Sequence, residues 1–167
     1  FEAQCSVCPG GQTTTDILTM FIQASGGQQI SEIEVNEALD FTLQAFDAAS
    51  FASYLVTANV VIDILEVNQV SVNNINATIP ISFSPSNNGA IFGGAPPQLS
   101  GIIDGNAVID LQAILAGAGG SGEVTRVGIS FDNTLQVFHN GFGQALIRKR
   151  DTDFVSLTIN GGNPVPE

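Results

Sequence analysis

Short alternating runs of apolar and polar residues, cut at regular intervals by turn residues, most constrain how this chain can fold. Ile30-Ser31-Glu32-Ile33-Glu34-Val35 places Ile33 and Val35 on one face and Glu32 and Glu34 on the other. That period of two belongs to a half-buried strand. Phe41-Thr42-Leu43-Gln44-Ala45 alternates in the same way, and Asp16 to Ile22 is a β-rich apolar run. Val60-Val61-Ile62-Asp63-Ile64-Leu65 is continuous and β-branched, the composition of a buried strand. Further strands are expected over Val70 to Phe83, Val124 to Phe131, Leu135 to His139, Ala145 to Arg148 and Phe154 to Ile159. Turn clusters separate them at Gly26-Gly27, Ser84 to Gly89, Gly93 to Pro97 and Asn140-Gly141. Many short strands with regular turns predict a sandwich or barrel. The expected fold is an all-β, single-domain β-sandwich of jelly-roll type with one or two short helices. One helix is expected over Ala48 to Leu55, capped by Asp47, and one over Val108 to Leu115, stopped by Gly117. Ser84 to Pro97 is expected to be the longest loop.

At 167 residues the chain suits one domain. The expected division is an N-terminal Cys-containing segment (1–12), a sandwich (13–160) and an extended tail (161–167). Hydrophobic residues make up 44% and charged residues only 12%. Asn, Gln, Ser, Thr and Gly must therefore supply the polar surface, as suits an exported β-rich protein. Residues 1–125 carry twelve acids and no base, which accounts for the net charge of −12. An acidic surface repels phosphate backbones and anionic lipid, so nucleic acid and membrane surfaces are poor partners. Arg148-Lys149-Arg150 is the one basic cluster. Docking of this cluster on the acidic surface of a second copy would be a heterologous contact, which builds rings or open filaments.

Cys5 and Cys8 cannot make a zinc site with His139 as the only histidine. Haem attachment needs a histidine where Pro9 stands. A local disulfide is expected in an oxidising compartment, with a bond to another subunit as the alternative. Gly117 to Gly122 fits G-x-G-x-x-G, but the expected helix precedes it and a strand follows, the reverse of a dinucleotide site. Asp104-Gly105-Asn106 with Asp110 resembles part of a calcium loop, although Ile109 and Leu115 replace the Gly and Glu of the full pattern. Glu32/Glu34 and Asp151/Asp153 are same-face acid pairs that offer oxygen ligands to the same kind of ion. No other cofactor is expected. His139 has no Gly-x-Ser-x-Gly elbow beside it, so catalysis is not expected. The lack of Trp, with Tyr54 the only Tyr, removes the usual platforms for stacking sugars. Asn76-Ala77-Thr78 matches the N-glycosylation sequon.

The chain begins with Phe and ends Asn163-Pro164-Val165-Pro166-Glu167. A first residue other than Met is expected of a processed or trimmed chain, and no apolar run reaches the length of a membrane span. The two prolines make the end an extended, solvated tail. Val165-Pro166-Glu167 resembles the first three letters of the Val-Pro-Glu-Pro sorting signal of PEP-CTERM proteins, bacterial proteins exported and then processed by exosortases. In that family a second Pro, a membrane-spanning stretch and a basic cluster follow. The resemblance implies an extracellular or cell-surface protein. The expected function is a non-enzymatic structural role at the bacterial surface or in an extracellular matrix, as the subunit of a homopolymer. Ile17, Leu18, Met20 and Ile22 lie in the segment expected to add a strand to a neighbour. The alternative is a monomeric module binding exopolysaccharide or calcium.

Overall fold

The computed structural model describes residues 1–25, 28–94, 98–149 and 156–161. Eleven strands and one helix follow one another among them: β1 (Glu2–Cys5), β2 (Cys8–Gln23), β3 (Ile30–Ala45), β4 (Phe51–Val67), β5 (Val70–Pro80), β6 (Ser82–Ser84), β7 (Asn88–Phe92), β8 (Gln98–Asp110), α1 (Leu111–Gly117), β9 (Val124–Asn140), β10 (Gly143–Lys149) and β11 (Ser156–Gly161). All pairings are antiparallel. One sheet runs β1-β10-β3-β8-β6, with β11 continuing beside β3. The other runs β2-β9-β4-β5, with β7 beside the start of β4. Most connections cross from one sheet to the other, the winding of a jelly-roll-type sandwich. The fold is the expected all-β sandwich.

Alternation explains the core. Odd positions of β3 and β9 point inward, as do even positions of β4. Two apolar clusters result. Ile33, Val35, Val60, Ile62, Ile109 and Ile129 lie in one. Leu39, Leu43, Val56, Ile103, Leu135 and Ile147 lie in the other.

Several expectations about local structure change, and the strand expected over Val70 to Phe83 divides into β5 and β6, which lie in different sheets. No helix forms at Ala48 to Leu55; Asp47 instead closes a turn, its carboxylate accepting from the Ala49 amide, and β4 begins at Phe51. Phe51, Ala52 and Tyr54 pair with β9, and that ladder outweighs a weak local helix preference. The helix after β8 starts later than expected, because Val108 to Asp110 complete the ladder with β3. Asp110 then caps α1 by accepting from the Ala113 amide at 2.9 Å. Ser84 to Pro97 is not all loop, since β7 pairs with β4 there. The first twelve residues are built into the sandwich. β1 joins one sheet and β2 begins in the other, and the Cys5–Cys8 disulfide closes the turn between them with Cα atoms 5.8 Å apart.

Candidate functional site

The long outer strand β2 is the first feature with functional chemistry. It pairs with β9 from Gln12 to Gln23, and among the described residues it has no strand on its other side. Even positions face the core, where Met20 and Ile22 pack against the first apolar cluster. Odd positions face out, and Ile17 and Phe21 are 67% and 66% exposed. Leu18 is half exposed. The Phe21 ring lies beside Gly128 on the outer surface, with the Arg126 guanidinium 5.9 Å from its centre. Arg126 also pairs with Glu66 at 3.3 Å. The four residues expected to take part in assembly thus divide: Ile17 and Leu18 are exposed, while Met20 and Ile22 pack against the core.

The basic cluster divides as well. Arg148 is half exposed and lies 3.7 Å from Asp40. Arg150 is outside the described residues, as are Asp151, Asp153 and the Val165-Pro166-Glu167 end. Lys149 does not face a neighbour. It follows Ala145 and Ile147 on the inward phase of β10, and its ammonium is 2.9 Å from Glu37 Oε2. Its side chain is only 15% exposed. The Phe1 ring stands 5.9 Å from that ammonium, and the Lys149 amide donates to the Phe1 carbonyl.

Glu37 and Asn133 complete an interior polar cluster. Glu37 is 4% exposed and Asn133 3%. The amide orientation that satisfies every partner has the Asn133 nitrogen donating to Glu37 Oε1 at 3.3 Å and its oxygen accepting from Lys149 Nζ. Glu37 and Lys149 come from adjacent strands of one sheet, Asn133 from the facing sheet. Room for Glu37 comes from Gly105, its cross-strand partner on β8. Gly105, read from sequence as part of a calcium loop, is thus a packing position.

The calcium candidates lie along β8. Asp104, Asn106 and Asp110 occupy its outward positions rather than a loop. Asn106 donates to Glu34 Oε1 at 3.2 Å and to Asn36 Oδ1 at 2.7 Å, while Asp110 is held by the α1 cap. Among the described residues no three His, Cys, Asp or Glu side chains converge on a point. His139 is fully buried on β9, and neither ring nitrogen has a hydrogen-bond partner among the described residues.

Phenylalanines form a further outer patch. Phe51 stacks against Phe92 and Phe138, with ring centres 4.9 and 5.6 Å apart. Beside Phe138 a shallow depression of about 280 Å³ opens between Gly10, Gly11, Ser53 and Gln136. Phe51, Phe92 and Phe138 share the outer face of three strands, an arrangement that only the register discloses.

No family model matches the chain, and no curated protein is similar to it. A solved structure of infectious bursal disease virus, Gx strain, matches at 11% identity and TM-score 0.29, over 96% of this chain and 37% of that one. A crystal structure of the VP2 subviral particle of the same virus matches at 11% identity and TM-score 0.19, over 88% and 34%. The chain spans about a third of the length of those chains. At these values the likeness says nothing about what the chain does.

Proposed function

We propose that the chain is a secreted, non-enzymatic structural protein of the bacterial surface or extracellular matrix, and that copies associate through the outer edge of β2. The observation that carries this reading is the character of that edge. An open strand presents unpaired amides and carbonyls to any neighbour, and proteins that avoid such pairing protect it with Lys, Pro or bulges. From Gln12 to Gln23 the strand is regular and contains neither Lys nor Pro, with Asp16 its only charge. Exposed Ile17 and Phe21 give an added strand apolar side chains to cover. Addition of a strand from a second copy supplies affinity through the main chain and specificity through alternate side chains. The resemblance of Val165-Pro166-Glu167 to an export signal supports the location.

The test is mass per particle by light scattering, with electron microscopy of the same native material. Multimers or filaments are the expected result, and a strict monomer at all concentrations refutes the reading. A second reading, a monomeric module for exopolysaccharide, draws on the Phe51–Phe92–Phe138 patch, because aromatic faces can stack on sugar rings. Glycan binding by a monomer would favour it.

A further inference from the structure

We infer that Lys149 and Asn133 condense into an intramolecular amide bond that joins the two sheets, with Glu37 as the proton carrier. This inference is independent of whether the protein assembles. It begins from a cost. A charged pair inside a sandwich loses its hydration, and an apolar replacement is often as stable or more so. Yet Glu37, Asn133 and Lys149 all occupy inward positions between two apolar clusters. Their chemistry is complementary: an amine nucleophile, a carboxamide carbon, and a carboxylate in hydrogen-bond contact with both nitrogens.

The geometry suits attack. Lys149 Nζ touches the Asn133 amide oxygen, so the carbonyl carbon is one bond further on. Reacting atoms held about 3–3.5 Å apart gain much of the rate advantage of an intramolecular reaction. Glu37 Oε2 is 2.9 Å from Nζ and can take one of its protons, leaving a neutral amine. The Nζ lone pair then forms a bond to Asn133 Cγ, and charge moves onto the amide oxygen. Glu37 Oε1 lies 3.3 Å from the Asn133 nitrogen, the leaving group. Protons relayed from Nζ through Glu37 reach that nitrogen as its bond to Cγ breaks. One lysine ammonium, one carboxamide and one carboxylate become one secondary amide, one molecule of ammonia and one carboxylic acid. Glu37 keeps the proton that remains, and no oxidant, metal or water is consumed. The product replaces a buried ion pair with a neutral amide and a neutral acid, and the same apolar walls that penalise the charges favour that change.

The experiment is intact mass spectrometry of the full folded chain after reduction of Cys5–Cys8, followed by tryptic mapping with fragmentation. The expected mass is lower than the sequence mass by one ammonia. Trypsin should no longer cut after Lys149, and a branched peptide should join Lys149 to Asn133. Full sequence mass in folded protein overturns the proposal. So does an ammonia loss mapped to a succinimide at an Asn-Gly pair, such as Asn140-Gly141, without a branched peptide. Glu37→Gln keeps the shape of the side chain but cannot carry the proton, and Asn133→Ala has no carboxamide. Both should retain the full mass, with circular dichroism confirming their fold. A folded Glu37→Gln chain that still carries the branched peptide would overturn the role of Glu37.

Discussion

Gly105→Ala tests whether the interior polar cluster is held by close packing. Gly105 faces Glu37 across the β3–β8 ladder, and a Cβ built there would sit 2.8 Å from Glu37 Cγ, 2.8 Å from Phe83 Cε1 and 2.9 Å from Ile81 Cγ2. Two effects oppose each other. The Gly105 backbone is not left-handed, so alanine fits its conformation. Reduced freedom of the unfolded chain then favours alanine by about 0.4–1 kcal/mol. Overpacking a filled interior costs about 1–3 kcal/mol. The upper part of that range applies here, because the contacts come from β3 on one side and from Ile81 and Phe83 on the other. Glu37 cannot retreat without leaving Lys149 or Asn133. The net is a loss of about 1–2 kcal/mol, which for a domain of this size lowers Tm by roughly 2–8 °C. Gly117→Ala is the control. No described residue lies within 4 Å of its added Cβ, and alanine is the better helix former by up to about 1 kcal/mol, so its Tm should hold or rise. Thermal unfolding followed by circular dichroism compares the two. A Gly105→Ala chain that melts at or above the wild-type temperature refutes the steric argument.

Ile17→Lys should weaken assembly. Burying a whole isoleucine contributes about 1.5–3 kcal/mol, and this one is two-thirds exposed, so about 1–2 kcal/mol is lost per contact, roughly 5- to 30-fold in affinity. Asp132 lies opposite Ile17 and can pair with the lysine, so the fold should be unharmed; unchanged sedimentation would count against the β2 edge. Tyr54, the only tyrosine in a chain without Trp, gives a clean absorbance titration. Burial raises its phenol above the usual 10.0, so the folded state holds the proton longer than the unfolded state. Stability should therefore be fully present below pH 10 and fall as pH rises through the folded value; ionisation at the ordinary value would contradict its burial. The Ser50 side chain lowers the Asp47 carboxyl below its usual 3.8, against a smaller opposing effect of desolvation and with help from the Ala49, Ser50 and Phe142 amides. Any stabilisation it gives is present above that value and lost as pH falls through the lower one. In an NMR titration Ser50→Ala should move the Asp47 midpoint back up, and an unmoved midpoint would remove Ser50 as the cause.

The strands were legible wherever apolar and polar residues alternate, and they broke where a polar residue takes an inward position. Ile30 to Val35 and Phe41 to Ala45 read as separate strands, but both belong to β3, continuous through Asn36 to Asp40. Val124 to Phe131 and Leu135 to His139 likewise merge in β9. The residue that breaks the first pattern is Glu37, and Asn133 breaks the second. The strand ending at Arg148 in sequence stops one residue short of Lys149. All three interruptions converge on one point of the interior. The signal was present as phase. Glu37 is in step with Ile33, Val35, Leu39 and Phe41, and Asn133 with Ile129, Phe131, Leu135 and Val137. Hydrophobicity alone treats such a residue as the end of a strand, because it counts polarity without asking which face the position occupies. Pairing supplies the missing information. Thirteen consecutive partners between β3 and β8 carry the backbone past Glu37, so the ladder tolerates one inward charge. What one sequence could not disclose was which inward polar residues meet, since Lys149 and Glu37 lie on one sheet and Asn133 on the other. Extending each alternating run across a single polar break, then collecting the in-phase polar residues, would have marked the interior cluster. The outer face of β2 needs no such step. Ile17 and Phe21 are readable from alternation, but their exposure follows only from β2 being outermost in its sheet, a property of strand order.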